Sequence, residues 1–395
     1  MGRRGVFYKA MKPVVVMADM VTPYGRGTDA CWQGLLGGKT ALSRVTRFKT
    51  AAFHSDYAGI IDGLRYHDGA SLVMQMMELL FEGVVIPEDA QLLLATTKGE
   101  IDLLEQSMLE QKGDAADAIV SRLVGKVSGL TKTTGTGLVI SAACTSSAAA
   151  AAQAAAMIRT GHADCVLVVA CDSITEFIFS GFSTLMALDS EPARPFDKNR
   201  AGLNVGEAAA YALLMSEERA TRENRPVLGT IAGWGLSDDA NHMTGPSRES
   251  EGLILAVSKA LASAGILPDD VGVISAHGTG TLYNDQMEMR AFRAVFRDAT
   301  RPVYSIKGGI GHTMGAAGLV EMIIAFHALR ARKAPPTVNL KCPDDDALGW
   351  VSDHQQPVRE QTVALVTNAG FSGVNTALVL AHGESSEFSV RPALA

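Results

Sequence analysis

Leu138-Val139-Ile140-Ser141-Ala142-Ala143-Cys144-Thr145-Ser146-Ser147 is a short apolar run that gives way to small and hydroxyl residues as the alanine-rich stretch 148–156 begins. The first part reads as a strand and the second as a helix running to Arg159, with Gly161 placed to cap it. Cys144 therefore sits where a strand turns into a helix N-terminus. Free backbone N–H groups and the positive end of the helix dipole favour thiolate over thiol there, so a thiol pKa below the usual ~8.5 and a place to hold an oxyanion are expected. A cysteine in apolar surroundings is otherwise core filler, and the setting alone does not decide between the two. The alanine run has no chemical role of its own: small side chains let a buried helix approach its neighbours, and Gln153 within it would require a hydrogen-bond partner.

The same pattern of buried apolar run followed by helix recurs along the 395 residues. Strands are expected at 14–17, 92–96, 138–141, 166–170 and 209–215, then at 227–231, 271–275, 303–306, 363–366 and 377–380. Short β-branched runs alternating with helical patterns indicate βα units and a mainly parallel, buried sheet. Gly272-Val273-Ile274-Ser275-Ala276-His277 echoes the opening stretch, each run ending on a reactive side chain. In a duplicated fold this would put Cys144 and His277 at equivalent sheet edges, where α/β proteins collect catalytic groups. The polar segment 216–225 is the natural crossover between halves.

Composition bounds the rest. With 47% hydrophobic and 19% charged residues the chain is globular, and a net charge of −7 gives no basic footprint for nucleic acid. Five cysteines, Cys31, Cys144, Cys165, Cys171 and Cys342, are odd in number and form no CxxC pair. That fits a reducing cytoplasm better than a disulfide framework or a zinc site. The N-terminal apolar run 14–17 is too short for an export signal, and apolar stretches are interrupted before the ~18 residues a membrane span needs. A cytoplasmic protein with no membrane partner is expected.

Two histidines stand in unusual contexts. His277 opens His277-Gly278-Thr279-Gly280-Thr281, where the glycines allow close backbone approach and two hydroxyls flank whatever binds. His312 lies in Lys307-Gly308-Gly309-Ile310-Gly311-His312-Thr313-Met314-Gly315-Ala316-Ala317-Gly318, followed by Glu321. The lysine precedes these glycines and no GK[ST] follows, so a nucleotide loop is excluded. The late loop Asn368-Ala369-Gly370-Phe371-Ser372-Gly373-Val374-Asn375 reads as a turn. No GxSxG elbow, HExxH or post-strand GxGxxG is present. His54, His67, His162, His327, His354 and His382 have no motif context, and Asp344-Asp345-Asp346 reads as a solvated loop.

Taken in order, the cysteine heading an alanine-rich helix, the AHGTGT motif with Asp285 and Glu288, KxxxGHTxGAAGxxE and GFSGVN resemble the elongating β-ketoacyl-acyl carrier protein synthases. Arg194-Pro195-Phe196-Asp197 through Gly206-Glu207, Asp239 to Pro246 (DANHMTGP) and Val21-Thr22-Pro23-Tyr24-Gly25 extend the likeness over residues 13 to 382. The resemblance implies an α/β fold, a thiolase-like five-layer αβαβα sandwich of two similar halves. Those halves would be 13–220, with the nucleophile, and 226–385, with the two histidines, flanked by an extension 1–12 and a tail 386–395. It implies a decarboxylative Claisen condensation of an acyl group on Cys144 with a malonyl group carried on acyl carrier protein.

Cys144, His277 and His312, with Lys307 and Glu321 setting the orientation of His312, would form the catalytic set. The backbone N–H groups of Cys144 and Phe371 would form the oxyanion hole, and Phe371 would gate the acyl pocket. Thr279, Thr281 and Thr244 would bind the pantetheine arm. No metal and no bound cofactor are implied, since the substrates arrive on phosphopantetheine, and a homodimer, or a heterodimer with a related subunit, is expected. Non-catalytic chain-length partner subunits typically lack the cysteine. Degradative thiolases pair it with a second cysteine, and starter-type synthases with histidine and asparagine. Departures from the family pattern fall at Thr96-Thr97-Lys98-Gly99-Glu100-Ile101, at Leu203-Asn204 and at Ser372, leaving open fatty-acid or specialised polyketide and polyene synthesis.

Overall fold

The computed structural model describes residues 11–66, 70–297 and 299–382. Residues 1–10 of the expected extension, the tail 386–395 and His67 lie outside the described residues. Ten strands carry the architecture: β1 (Pro13–Thr22), β2 (Gln91–Ala95), β3 (Leu138–Ile140), β4 (Cys165–Asp172), β5 (Ala208–Ser216), β6 (Gly229–Asp238), β7 (Val271–Ser275), β8 (Val303–Tyr304), β9 (Val363–Ala369) and β10 (Val374–His382). Every apolar run expected as a strand overlaps one of them. β4 and β5 are buried at every position because helices cover both faces, which is why they read as continuous rather than alternating runs.

The hydrogen-bonded order is β8-β7-β9-β10-β6-β1-β5-β4-β2-β3. Divided between β6 and β1, it is one arrangement used twice: replacing β1 through β5 by β6 through β10 turns β3-β2-β4-β5-β1 into β8-β7-β9-β10-β6. Strand directions repeat as well, parallel at β2/β3, β2/β4, β7/β8 and β7/β9 and antiparallel elsewhere, so the sheet is mixed and not mainly parallel as expected. The halves meet edge to edge over only two pairs, Val14 with Thr230 and Val15 with Gly229.

Six helices complete the layers: α1 (Leu72–Phe81), α2 (Val120–Thr131), α3 (Ser146–Arg159), α4 (Glu251–Ala264), α5 (Leu282–Phe296) and α6 (Ala317–Ala331). A central apolar cluster joins α3 and α6 to strands of both halves. One outer cluster packs α1 and α2 on the first half, and another packs α4 and α5 on the second. This is the expected five-layer αβαβα arrangement.

Several expectations change here. The echo between strand ends is in the wrong register: topology makes β3 and α3 the counterparts of β8 and α6, and β2 the counterpart of β7. Cys144 is thus equivalent to the loop that carries His312, while His277 is equivalent to Thr97. Local likeness fails because every buried strand shares the same apolar pattern. Gln153 is exposed on α3, so it requires no buried partner. The segment Met314–Ala331 does have the length and mean hydropathy, 1.4, of a membrane span, yet 83% of it is buried in the fold as the central helix. Asp344 is also not merely solvated, because it binds the buried Arg200 guanidinium at 2.6 Å.

Candidate active site

The two central helices bring their N-termini together. A Cβ on Gly318 would lie 2.7 Å from both the nitrogen and the Cβ of Ala148, so only a glycine against an alanine permits this approach. Ser147 Oγ accepts from the Leu319 N–H across the contact, at 2.9 Å. Cys144 precedes α3 and His312 precedes α6, so the crossing of two positive helix ends places both residues in one site.

Cys144 is buried at 7% exposure, in a tight turn that forces Ala143 into the left-handed region at φ 48°. Thr145 Oγ1 donates to the Ala142 carbonyl at 2.6 Å. Ser146 Oγ donates to the Ala143 carbonyl at 2.6 Å and accepts from the Ala142 N–H at 2.9 Å. The hydroxyls that follow the thiol in sequence thus fasten the turn. Burial pushes the Cys144 thiol up to about 11, against the pull of the Lys307 ammonium and of the Phe371 N–H directed at the sulfur. The expected depression of this pKa does not hold in the resting protein: loss of water outweighs the helix end and the nearby cation.

His277 and His312 are each 2% exposed, and their rings meet edge to face with centroids 5.0 Å apart. The Cys144 sulfur and the ligating nitrogens of the two rings all fall within 4.8 Å of one another. The tautomers follow from the partners. His277 Nδ1 lies 3.3 Å from Lys307 Nζ and 3.4 Å from Asn368 Nδ2, both of which can only donate. His312 Nδ1 accepts from the Met314 N–H at 3.3 Å. Burial, reinforced by the Lys307 charge, holds both histidines well below the ordinary imidazole pKa, so both are neutral. With Nδ1 accepting in each ring, the proton resides on Nε2, and the site offers two N–H donors. Those donors and the adjacent Lys307 cation suit developing negative charge better than a metal ion.

Lys307 is buried and donates to the His277 carbonyl and to Glu321, whose other oxygen accepts from Asn368 Nδ2. Burial raises the Glu321 pKa, partly offset by Lys307. The expectation that Lys307 and Glu321 orient His312 is therefore corrected: Lys307 bonds to His277, and Glu321 reaches His277 only through Lys307 and Asn368. The His312 backbone is held instead by the Asn204 carbonyl at 2.7 Å and the Gly206 N–H at 2.9 Å. Glu288, buried under the AHGTGT loop, accepts from the His277 N–H at 2.7 Å, the Gly278 N–H at 2.6 Å, Asn284 and Thr367.

Thr279 and Thr281 share a hydroxyl contact of 2.8 Å at the site's edge. Thr244 is exposed, on a loop fastened to the Phe371 loop by the Ser372 N–H donating to the Met243 carbonyl at 2.6 Å. Phe371 packs near Phe182, centroids 6.0 Å apart. Three residues of the site have no role in the sequence reading: Asn368, which reads there as part of a turn, Met314 and Asn204. For Asn368 a signal existed: like His277, it is a polar residue closing a buried apolar strand.

The family models described as Beta-ketoacyl synthase N-terminal domain and C-terminal domain match residues 80–220 and 228–341. The 3-oxoacyl-[acyl-carrier-protein] synthase 2 of Coxiella burnetii is 31% identical, the alignment covering 93% of this chain and 97% of that protein. The tetracenomycin polyketide synthase ketoacyl synthase alpha subunit of Streptomyces glaucescens is 30% identical, covering 94% and 97%. Among solved structures, the ishigamide ketosynthase/chain length factor superposes with a TM-score of 0.85 at 27% identity, covering 94% of this chain and 99% of that one. Sequence, fold and the meeting of Cys144 with His277 and His312 agree that the chain belongs to the β-ketoacyl synthase family of condensing acyltransferases.

Proposed function

We propose that the protein elongates an acyl chain by decarboxylative condensation with a malonyl group on acyl carrier protein, in cytoplasmic fatty-acid or specialised polyketide synthesis. One observation carries the division of labour: a thiol faces two imidazoles whose partners leave an N–H on each Nε2. In the first stage Cys144 sulfur attacks the acyl thioester carbonyl, with the Phe371 N–H and the Cys144 N–H as oxyanion donors. The Cys144 proton leaves with the departing pantetheine thiolate.

In the second stage His277 and His312 donate to the malonyl thioester oxygen. Loss of carbon dioxide places the electron pair on an enolate that these donors stabilise, so no strong base is needed. The enolate attacks the acyl-Cys144 carbonyl, and the sulfur leaves as thiolate and is reprotonated. Thr279, Thr281 and Thr244 hold the pantetheine arm, and no metal or bound cofactor takes part. The chain works as a homodimer or beside a chain-length partner, and retention of Cys144 with both histidines favours the catalytic over the partner role.

The test is mass spectrometry after incubation with an acyl-pantetheine thioester, which should show one acyl adduct on Cys144. Absence of the adduct sinks the proposal. Cys144→Gln should abolish condensation and keep malonyl decarboxylation, because the histidine pair is untouched.

A further inference from the structure

We propose that a buried ion pair from the first half, Lys98 with Asp172, is a positioning device for His312. This inference rests on the function proposed above. Lys98 and Asp172 side chains are 9% and 0% exposed, with Lys98 Nζ 3.2 Å from Asp172 Oδ1. The ammonium also lies 3.2 Å from Thr97 Oγ1 and 3.0 Å from the thioether sulfur of Met314.

Asp172 holds two loops at once. It accepts from Thr96 Oγ1 at 2.9 Å, Thr97 Oγ1 at 2.8 Å and the Thr97 N–H at 3.2 Å, all beyond β2. It also accepts from the Gly315 N–H at 2.7 Å, in the loop between His312 and α6. The fit leaves no slack, since a Cβ on Gly315 would stand 2.7 Å from Asp172 Oδ2 and 3.0 Å from the Thr97 nitrogen.

Between these anchors lies Met314, the residue whose N–H fixes the His312 tautomer. Its φ of 51° is left-handed and unfavourable for a side-chain-bearing residue, so the surroundings have to impose it. Lys98 grips its sulfur and Asp172 grips the next amide. If Met314 relaxed, its N–H would leave His312 Nδ1, and the proton on Nε2 would no longer be assured. A buried ion pair contributes little stability relative to apolar residues of the same volume, so a positioning task accounts better for its presence. Lys98 also joins Lys307 in disfavouring protonation of His312.

The experiment separates the two stages. In a Cys144→Gln background, Lys98→Met should lower malonyl-carrier decarboxylation by roughly 10- to 100-fold, the scale of a misplaced catalytic group. With Cys144 intact, single-turnover acylation of Lys98→Met by an acyl-pantetheine thioester should fall much less than decarboxylation does, because Lys98 is the weakest of the charges that act on the Cys144 thiol. Met314→Leu, which leaves the ion pair in place and removes only the sulfur contact, should show a smaller loss in the same stage. It also serves if Lys98→Met does not fold. Equal losses in both stages, or unchanged decarboxylation in the folded variants, would overturn the inference. A parent enzyme that neither acylates nor decarboxylates would instead overturn the function on which it rests.

Discussion

Corresponding strand ends of the two halves carry different chemistry. In the first half Ala95 of β2 pairs with Ala170 of β4, and in the second Ser275 of β7 pairs with Val366 of β9. Two residues beyond each pair stand Thr97 and Asp172 on one side, His277 and Asn368 on the other. Asp172 accepts from Thr97, whereas Asn368 donates toward His277. A neutral amide in place of a carboxylate lets the imidazole keep its proton on Nε2, facing Cys144. The first half's carboxylate is used for holding loops, and the second half's amide for setting a tautomer.

The largest expected effect comes from making the second half resemble the first. In Asn368→Asp the new carboxylate would accept from His277 Nδ1, draw the proton to that nitrogen and leave Nε2 bare. Condensation and decarboxylation should both fall about 10²-fold or more, the cost of one lost oxyanion donor or a wrong tautomer. Asn368→Ala, which removes the amide without reversing its role, should cost less. Steady-state rates of the two variants decide, and equal losses would break the distinction between amide and carboxylate.

Next is the crossing of the central helices, where the halves contribute unequal residues, Ala148 and Gly318. Gly318→Ala should destabilise the fold by about 1–3 kcal/mol and slow condensation roughly tenfold as the helix ends separate. Ala148→Gly should lose only about 1 kcal/mol of helix stability with activity little changed. Urea denaturation beside turnover measures both, and identical behaviour of the two variants would contradict the asymmetric contact.

The second half should also respond to pH where Thr97 cannot. His277 and His312 stay neutral in the folded chain, because burial holds their pKa values down, but they protonate below about 6.5 once unfolded. Their contribution is therefore fully present above pH 6.5 and is lost as pH falls toward the depressed folded values. The folded chain should therefore be less stable at pH 5.5 than at pH 7.5. Denaturation at pH 7.5 and 5.5 should show a shallower loss when both are replaced by asparagine. An unchanged pH dependence would show that the rings titrate normally.

These contrasts mark how far the sequence could be read. All ten strands, the strand-turn-helix setting of Cys144 and the two histidine loops follow from apolar runs, glycine placement and motif order, which are local properties. The register of the duplication was not legible, because pairing partners are chosen by long-range contacts among strands that look alike. The thiol pKa went the other way because burial at Cys144 depends on the whole sandwich rather than on the helix that follows it. Asn368, Met314 and Lys98 were missed for a related reason. Each acts through a neighbour more than 70 residues away or through a backbone group, and apart from the place of Asn368 at the end of an apolar run this leaves no pattern in composition or spacing.

The smallest effect concerns the turns on either side of Cys144, where each half places a residue with a side chain in left-handed geometry, Ala143 at φ 48° and Ser372 at φ 71°. The Ala143 turn is locked by hydroxyl hydrogen bonds to the Ala142 and Ala143 carbonyls, whereas Ser372 is exposed and held by its amide on Met243. Ser372→Gly keeps that amide and relieves about 1–2 kcal/mol of backbone strain, offset by up to about 1 kcal/mol of added freedom in the unfolded chain. A net gain near 0.5 kcal/mol should appear in urea denaturation, with the condensation rate within about threefold because the Phe371 N–H remains directed at the sulfur. If the rate instead falls tenfold while stability rises, the strain at Ser372 holds Phe371 in place, and the second half's turn serves the chemistry no less than the turn that presents the thiol.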